Sequence, residues 1–128
     1  MKNLLSEIQK CTLCEPNLDL GANPVLTAHS KSKIVIIGQA PGVRVHNSGI
    51  PWNDASGTQL RKWLGVSDKD FYDTKKFAII PMGFCYPGKG KSGDKPPRKE
   101  CAIQWHDQIL EKMPHVELIL LIGMYAQN

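Results

Sequence analysis

Ile34-Val35-Ile36-Ile37-Gly38-Gln39-Ala40-Pro41-Gly42 is the stretch on which the fold turns. Four β-branched residues in a row, stopped by glycine, read as a strand buried on both faces, and such strands belong to parallel sheets covered by helices. The pattern recurs. Phe77-Ala78-Ile79-Ile80 is a second buried strand closed by Pro81, and Glu117 to Ile122 is a third, stopped by Gly123. Helical stretches lie between them. One starts from about Gly57 with Leu60, Trp63 and Leu64 at helical spacing, and Ser67 caps a shorter turn through Phe71. Another has Pro97 in its first turn and runs to about Met113, with Ile103, Ile109 and Leu110 on its apolar side. Residues 3 to 14 start as a short helix with Leu4, Leu5 and Ile8 on one side, carrying Cys11 and Cys14 at or past its end. Residues 16–32, Gln39 to Ser56 and Met82 to Pro96 read as irregular or loop, being rich in turn residues. Strand–helix–strand–helix–strand predicts an α/β fold, a parallel β-sheet sandwiched by helices in a single domain over residues 1–128. Three strands make a small sheet, and a further helix starts at Tyr125-Ala126-Gln127-Asn128. The domain is therefore expected to be C-terminally incomplete, lacking a last strand.

The chain has 128 residues, the size of one domain, and its 41% hydrophobic and 22% charged content excludes wholesale disorder, collagen-like and coiled-coil structure. The longest apolar run, Leu118 to Ile122, is far short of the roughly 18 residues of a membrane span and reads as a buried strand. Met1 to Glu7 lacks the long apolar stretch of a secretory signal, so the expectation is a cytoplasmic monomer with no membrane partner. A net charge of +4 permits nucleic-acid binding without requiring it. The distribution says more. Lys89, Lys91, Lys95, Arg98 and Lys99 fall in one short stretch, opposed there only by Asp94 and Glu100.

In parallel α/β sheets the ligand crevice lies at the carboxyl ends of the strands. Gln39, Pro81 to Cys85 and Gly123 to Tyr125 are at those ends. The Gly38–Gly42 loop lets a backbone approach a ligand closely, but it lacks the spacing of a dinucleotide fingerprint. In His46-Asn47-Ser48-Gly49-Ile50-Pro51-Trp52-Asn53-Asp54, the aromatic can stack on a base or plug the core, whereas His46 on a polar loop is less easily explained by packing. Gly90-Lys91-Ser92 is not a P-loop, because Cys85 stands where that motif needs glycine and Pro96-Pro97 interrupts any helix that could follow. What remains is a basic loop suited to phosphates, or a solvated surface. Cys11 and Cys14 form C-x2-C, and with Cys85 and Cys101 they can deliver four thiolates to one centre, zinc or iron–sulfur. The alternative is that Cys85 and Cys101 are small core residues.

Together these segments resemble the uracil-DNA glycosylase superfamily, most closely its family 4 branch, which carries an iron–sulfur cluster. Gly38-Gln39-Ala40-Pro41-Gly42 is similar to that branch's G-E-A-P-G loop, and Gly49-Ile50-Pro51-Trp52 to its G-x-P-F. The four cysteines match its cluster ligands in order and spacing, and Lys95-Pro96-Pro97-Arg98-Lys99-Glu100-Cys101 resembles its approach to the last ligand. The resemblance implies excision of uracil or another damaged base from DNA by base flipping and N-glycosidic hydrolysis. It implies a [4Fe–4S] cluster, with zinc as alternative, on Cys11, Cys14, Cys85 and Cys101. Gly38, Gln39, Ala40 and Trp52 would hold the base, Trp52 as the stacking floor. Gln39, His46 and Asp54 are the candidate catalytic residues, and Lys89, Lys91, Lys95 and Arg98 would grip the DNA backbone. The chain departs from the pattern at Val45 and His46, where the family has an acidic pair. It departs again at Pro81, where the family has a uracil-reading Asn, and it ends before the family's His-Pro-Ser motif. Two alternatives stay open: a non-catalytic iron–sulfur module that binds DNA, and a zinc-stapled nucleotide-binding domain.

Overall fold

The computed structural model describes residues 1–91 and 93–127; Ser92, in the Gly90-Lys91-Ser92 triplet, and Asn128, at the expected final helix, lie outside the described residues. In chain order the elements are α1 (Lys2–Gln9), β1 (Ile34–Ile37), α2 (Val43–Ser48), α3 (Ala55–Leu64), α4 (Asp68–Phe71) and β2 (Phe77–Ile79). Then follow β3 (Lys89–Gly90), β4 (Gly93–Asp94), a π-helical stretch (Ala102–His106) leading into α5 (Asp107–Glu111), β5 (Leu118–Leu121) and α6 (Met124–Gln127).

The quoted strand is the middle of a three-stranded sheet ordered β2-β1-β5. It is parallel to both neighbours, with Ile36 opposite Ile79 on one side and Leu120 on the other. Side chains alternate across a strand. Val35 and Ile37 therefore enter one core with Leu4, Ile8, Ala78, Ile80, Phe84, Ile109 and Met113. Ile36 enters a second core with Leu60, Phe71, Phe77 and Ile79. α1 and α5 cover one face and α3 and α4 the other, which is the expected α/β sandwich. Val35 and Ile36 are wholly buried, and each contributes roughly 1.5–3 kcal/mol.

The third strand is not buried: Leu118, Ile119 and Leu121 are 49%, 44% and 44% exposed. Like β2 it lies at an end of the sheet, but its faces are left partly uncovered among the described residues, and an apolar run says nothing about what packs on either face. Trp63 is 77% exposed rather than part of the apolar stripe. α3 starts at Ala55, two residues earlier than expected, because Asp54 caps it, and Gly57, Leu60 and Leu64 then carry the inward face. Ile103 is 83% exposed. The π-helical turn holds an extra residue, which rotates the following apolar face by about 100°, so Ile109 and Leu110 face the core and Ile103 does not. That helical segment begins near Glu100 rather than Pro97. The loop from Gln39 to Ser56 contains α2, and the basic loop contains the β3–β4 hairpin. Ser67 caps α4 as read, accepting from the Asp70 amide. Cys11 and Cys14 follow the end of α1. No helix of the described residues is long and apolar enough to cross a membrane.

Candidate functional site

The loops leaving β1 and β2 are sewn together by backbone. The Met82 and Gly83 amides donate to the Gly38 and Gln39 carbonyls, both at 2.9 Å. The amides of Gln39 and Ala40 donate to nothing among the described residues. A cavity of about 260 Å³ opens here, lined by Gly38, Gln39, Ala40, Pro41, Trp52, Asp54, Ser56, Pro81 and Asp94 among others. It lies just below the usual range of small-molecule pockets, roughly 300–1,000 Å³, and suits one planar ring. The structure therefore brings Gly38, Gln39, Ala40, Trp52 and Asp54 together at the strand ends.

Trp52 sits half-buried at φ 58°, the left-handed region that side chains rarely adopt. Two glycines make room for it. A Cβ at Gly38 would lie 2.9 Å from indole Cζ2, and one at Gly57 would run into the Trp52 carbonyl. Side chains behind it hold the turn. Arg61 Nη1 donates to the Trp52 carbonyl at 3.1 Å and to the Tyr72 hydroxyl at 3.1 Å. Tyr72 in turn donates to the Pro51 carbonyl at 2.7 Å, and Arg61 Nε pairs with Asp68 at 2.8 Å. Burial pushes the Tyr72 phenol up, against the pull of Arg61, which keeps it a donor. The indole also packs on the core of Leu60 and Phe71, so Trp52 is at once a cavity wall and a core residue. Asp54 lines the cavity with one oxygen already used, since Oδ1 accepts from the Gly57 amide at 2.8 Å to cap α3.

His46 is not brought to the cavity wall. α2 forms inside the loop and lays its ring against Tyr86, centroids 6.0 Å apart, while Asn23 donates to its backbone carbonyl at 2.7 Å. Its Nδ1 is buried without a hydrogen-bond partner among the described residues. Pro81 does line the cavity, and its carbonyl accepts from His106 Nε2 at 2.9 Å. Burial lowers the His106 pKa, so its neutral ring is a fixed prop. No sequence signal singled out His106 or Arg61; both act through backbone carbonyls distant in sequence.

All four cysteines are free thiols; Cys14, Cys85 and Cys101 are buried and Cys11 is half-buried. Burial first, then the Glu100 carboxylate, pushes the Cys14 thiol up to about 11. Its S–H donates to Glu100 Oε2 at 3.1 Å, and Arg98 holds Glu100 through two bonds of 3.2 and 3.1 Å. Burial, reinforced by Cys101, Cys11 and Cys14, pushes Cys85 up to about 11 as well. Burial also raises Cys101, whose sulfur accepts from the Phe84 amide at 3.4 Å. Cys11, Cys14 and Cys101 are each close enough to Cys85 to raise its pKa. No group of three or more His, Cys, Asp and Glu side chains among the described residues is arranged to hold a single metal ion.

The basic stretch divides. Lys95 pairs with Asp19 at 3.6 Å and Arg98 with Glu100, whereas Lys89, Lys91 and Lys99 make no ion pair among the described residues. A second cavity of about 280 Å³ lies between this stretch and the Gly loop, lined by Gln39, Ala40, Pro41, Asp94, Lys95, three prolines and Tyr125. Sequence reasoning met Asp94 only as a counter-charge, although Gly90 and Gly93 beside it are the signal of a tight hairpin. A family model described as the uracil DNA glycosylase superfamily matches residues 24–128, which include both cavities, Cys85 and Cys101, but not Cys11 and Cys14.

Proposed function

We propose, because the chain belongs to the uracil DNA glycosylase superfamily, that it releases a damaged base from DNA by hydrolysing the N-glycosidic bond. The observation that carries this reading is one ring-sized cavity walled by Trp52 and by two residues with unused amides, Gln39 and Ala40. An extruded base stacks on the indole, at a gain of about 1–3 kcal/mol. As the bond to C1′ breaks, negative charge builds on the base. The Gln39 and Ala40 amides stabilise it there, being fixed in place before the reaction. The loop bonds from Met82 and Gly83 supply that rigidity. Pro81 lines the cavity without an amide side chain, so Gln39 and Ser56, not position 81, read the base edge. That favours a base other than uracil as the main substrate.

The four thiols fit an iron–sulfur cluster better than zinc. They are soft donors with no hard ligand among them, the donor set that the resemblance to family 4 gives to its cluster. Cys11, Cys14, Cys85 and Cys101 would hold such a cluster, as the resemblance to family 4 implies, and it would tie the segment after α1 to both ends of the basic stretch. Protein purified without oxygen is expected to be brown and to contain iron.

Base release from oligonucleotides carrying uracil, hypoxanthine, xanthine or an oxidised pyrimidine, in single and double strands, tests the activity. Release from at least one is the expected result. Binding to DNA with no release from any would favour the non-catalytic module.

A further inference from the structure

Base excision puts charge in two places. The departing base gathers electrons, and the sugar becomes oxocarbenium-like and positive. The amides at Gln39 and Ala40 answer the first charge. The second needs an anion beside C1′, where the base pocket meets the path of the backbone.

The two cavities define that place. One is walled by Trp52, and the other opens onto Lys95. Four residues line both: Gln39, Ala40, Pro41 and Asp94. A nucleotide with its base in the first cavity and its phosphate toward the second has its sugar against these four. Asp94 is the one ionisable group among them. The other candidates are placed less well. His46 is turned to Tyr86, and Asp54 lines the base cavity alone with Oδ1 committed to the α3 cap.

We propose that Asp94 is the catalytic carboxylate of this site. This rests on the glycosylase reading above and adds a residue to it. The hairpin builds the position. Asp94 is the last residue of β4 and pairs with Lys89, Gly93 turns at φ 99°, and the Lys95 amide donates to the Gly88 carbonyl at 2.8 Å. Tyr86 donates to Oδ1 at 3.3 Å and orients the group. Oδ2 lies over Gly42, 3.9 Å from where a Cβ there would be. Asp94 makes no ion pair among the described residues, since its neighbour Lys95 turns to Asp19, so its charge is not neutralised locally.

In the reaction the C1′–N bond breaks and its electron pair leaves with the base. Asp94 stabilises the cationic sugar and accepts a proton from the water that attacks C1′. That proton passes through solvent to the base anion, so the products are the free base and an abasic site bearing hydroxyl at C1′.

The test is single-turnover release of whichever base the wild type removes, by wild type and Asp94→Asn, beside affinity for an oligonucleotide with the 2′-fluoro form of that nucleotide, which resists cleavage. Asn keeps an acceptor for the Tyr86 hydroxyl on an exposed hairpin, so the fold is preserved. The expected result is a rate lower by about 100-fold or more, with affinity for the fluoro oligonucleotide unchanged within about threefold. Asp94→Glu should recover part of the rate. A wild-type rate in Asp94→Asn overturns the assignment and leaves the glycosylase reading standing, as does a parallel loss of rate and affinity, which marks a merely structural residue. A wild type that releases no base removes both.

Discussion

Gly38 and Trp52 are one device. The glycine has no left-handed φ to require it; its missing Cβ is room for the indole, 2.9 Å from Cζ2. Behind the ring, Gly57 already meets the Trp52 backbone, so the ring cannot retreat. Gly38→Ala should therefore push the indole into the cavity and weaken base binding at least about 10-fold, while overpacking removes about 1–3 kcal/mol of stability. Binding of a base-containing oligonucleotide and a thermal melt read the two effects separately; unchanged binding would mean that Trp52 is not the floor. Trp52→Phe should keep stacking that Trp52→Ala loses. The thiols carry a second prediction. An ordinary thiol near 9.0 raised to about 11 holds about a hundredth of the thiolate at pH 8. In metal-free protein, Cys14 and Cys85 should be alkylated about 100-fold more slowly than a free cysteine, with Cys11, the least covered, modified first. The folded values lie above the unfolded ones, so unfolded thiols ionise first. The stability present below about pH 9 is lost as pH rises through 11. Denaturant melts at pH 8 and 10.5 measure it, and a higher midpoint at 10.5 would refute the assignment.

At the scale of elements, α3 and α4 exist partly to hold the Pro51–Trp52 turn. Arg61 on α3 reaches the Trp52 carbonyl and, through Tyr72 just past α4, the Pro51 carbonyl. Its guanidinium also stacks over the Phe71 ring at 5.2 Å. Arg61→Ala leaves two half-buried acceptors, the Trp52 carbonyl and the Tyr72 hydroxyl, short of a donor and should lower stability by about 1–3 kcal/mol. Base affinity should fall with it, since the left-handed φ at Trp52 is no longer enforced; a variant as stable and as tight as wild type would show that the lock is idle. None of this lock was legible in the sequence, because its bonds end on backbone carbonyls and no residue type announces them. What was legible follows the same logic. β1 and β2 were readable because both their faces are covered, and a β-branched run records that. β5 has an equally apolar run whose faces are left partly uncovered among the described residues, since what packs on a strand is set by the elements around it and not by the strand's own residues. Trp63 and Leu64 both fit a helical stripe from Leu60. Only the Asp54 cap, which fixes where α3 begins, turns one outward and the other inward. α2 buries Val45 alone and leaves no periodicity to read, and so His46 was placed in the crevice when the helix carries it to Tyr86. The Gly loop, Trp52 and Asp54 were foreseen at one site because strand ends converge in any parallel sheet.

At the scale of the molecule, a net charge of +4 is too small to force contact with nucleic acid, so what matters is where the free cations are. Lys89 and Lys91 stand on the β3–β4 hairpin without ion-pair partners among the described residues. Lys95 is spent partly on Asp19, and Arg98 is bound to Glu100 beside the Cys14 thiol. Four of the five cations of this stretch therefore divide into two without an ion pair and two with one, and two variants separate the roles proposed for them. Lys89→Ala with Lys91→Ala should flatten the salt dependence of oligonucleotide binding, because each phosphate contact removed takes away counterion release worth about 0.9 in logarithmic slope for duplex and 0.7 for single strands. Base preference and iron content should not change, since phosphate contacts carry no sequence information. Arg98→Ala should do the reverse. It leaves the slope nearly intact but strips Glu100 of its counter-charge next to a thiol that must ionise to bind metal, so iron retention should fall and the hairpin, tethered at Cys85 and Cys101, should loosen. Salt titrations of both variants beside iron assays decide it. Equal slopes for the lysine variant and wild type would make the hairpin a solvated surface, and full iron retention in Arg98→Ala would make that arginine one more surface cation.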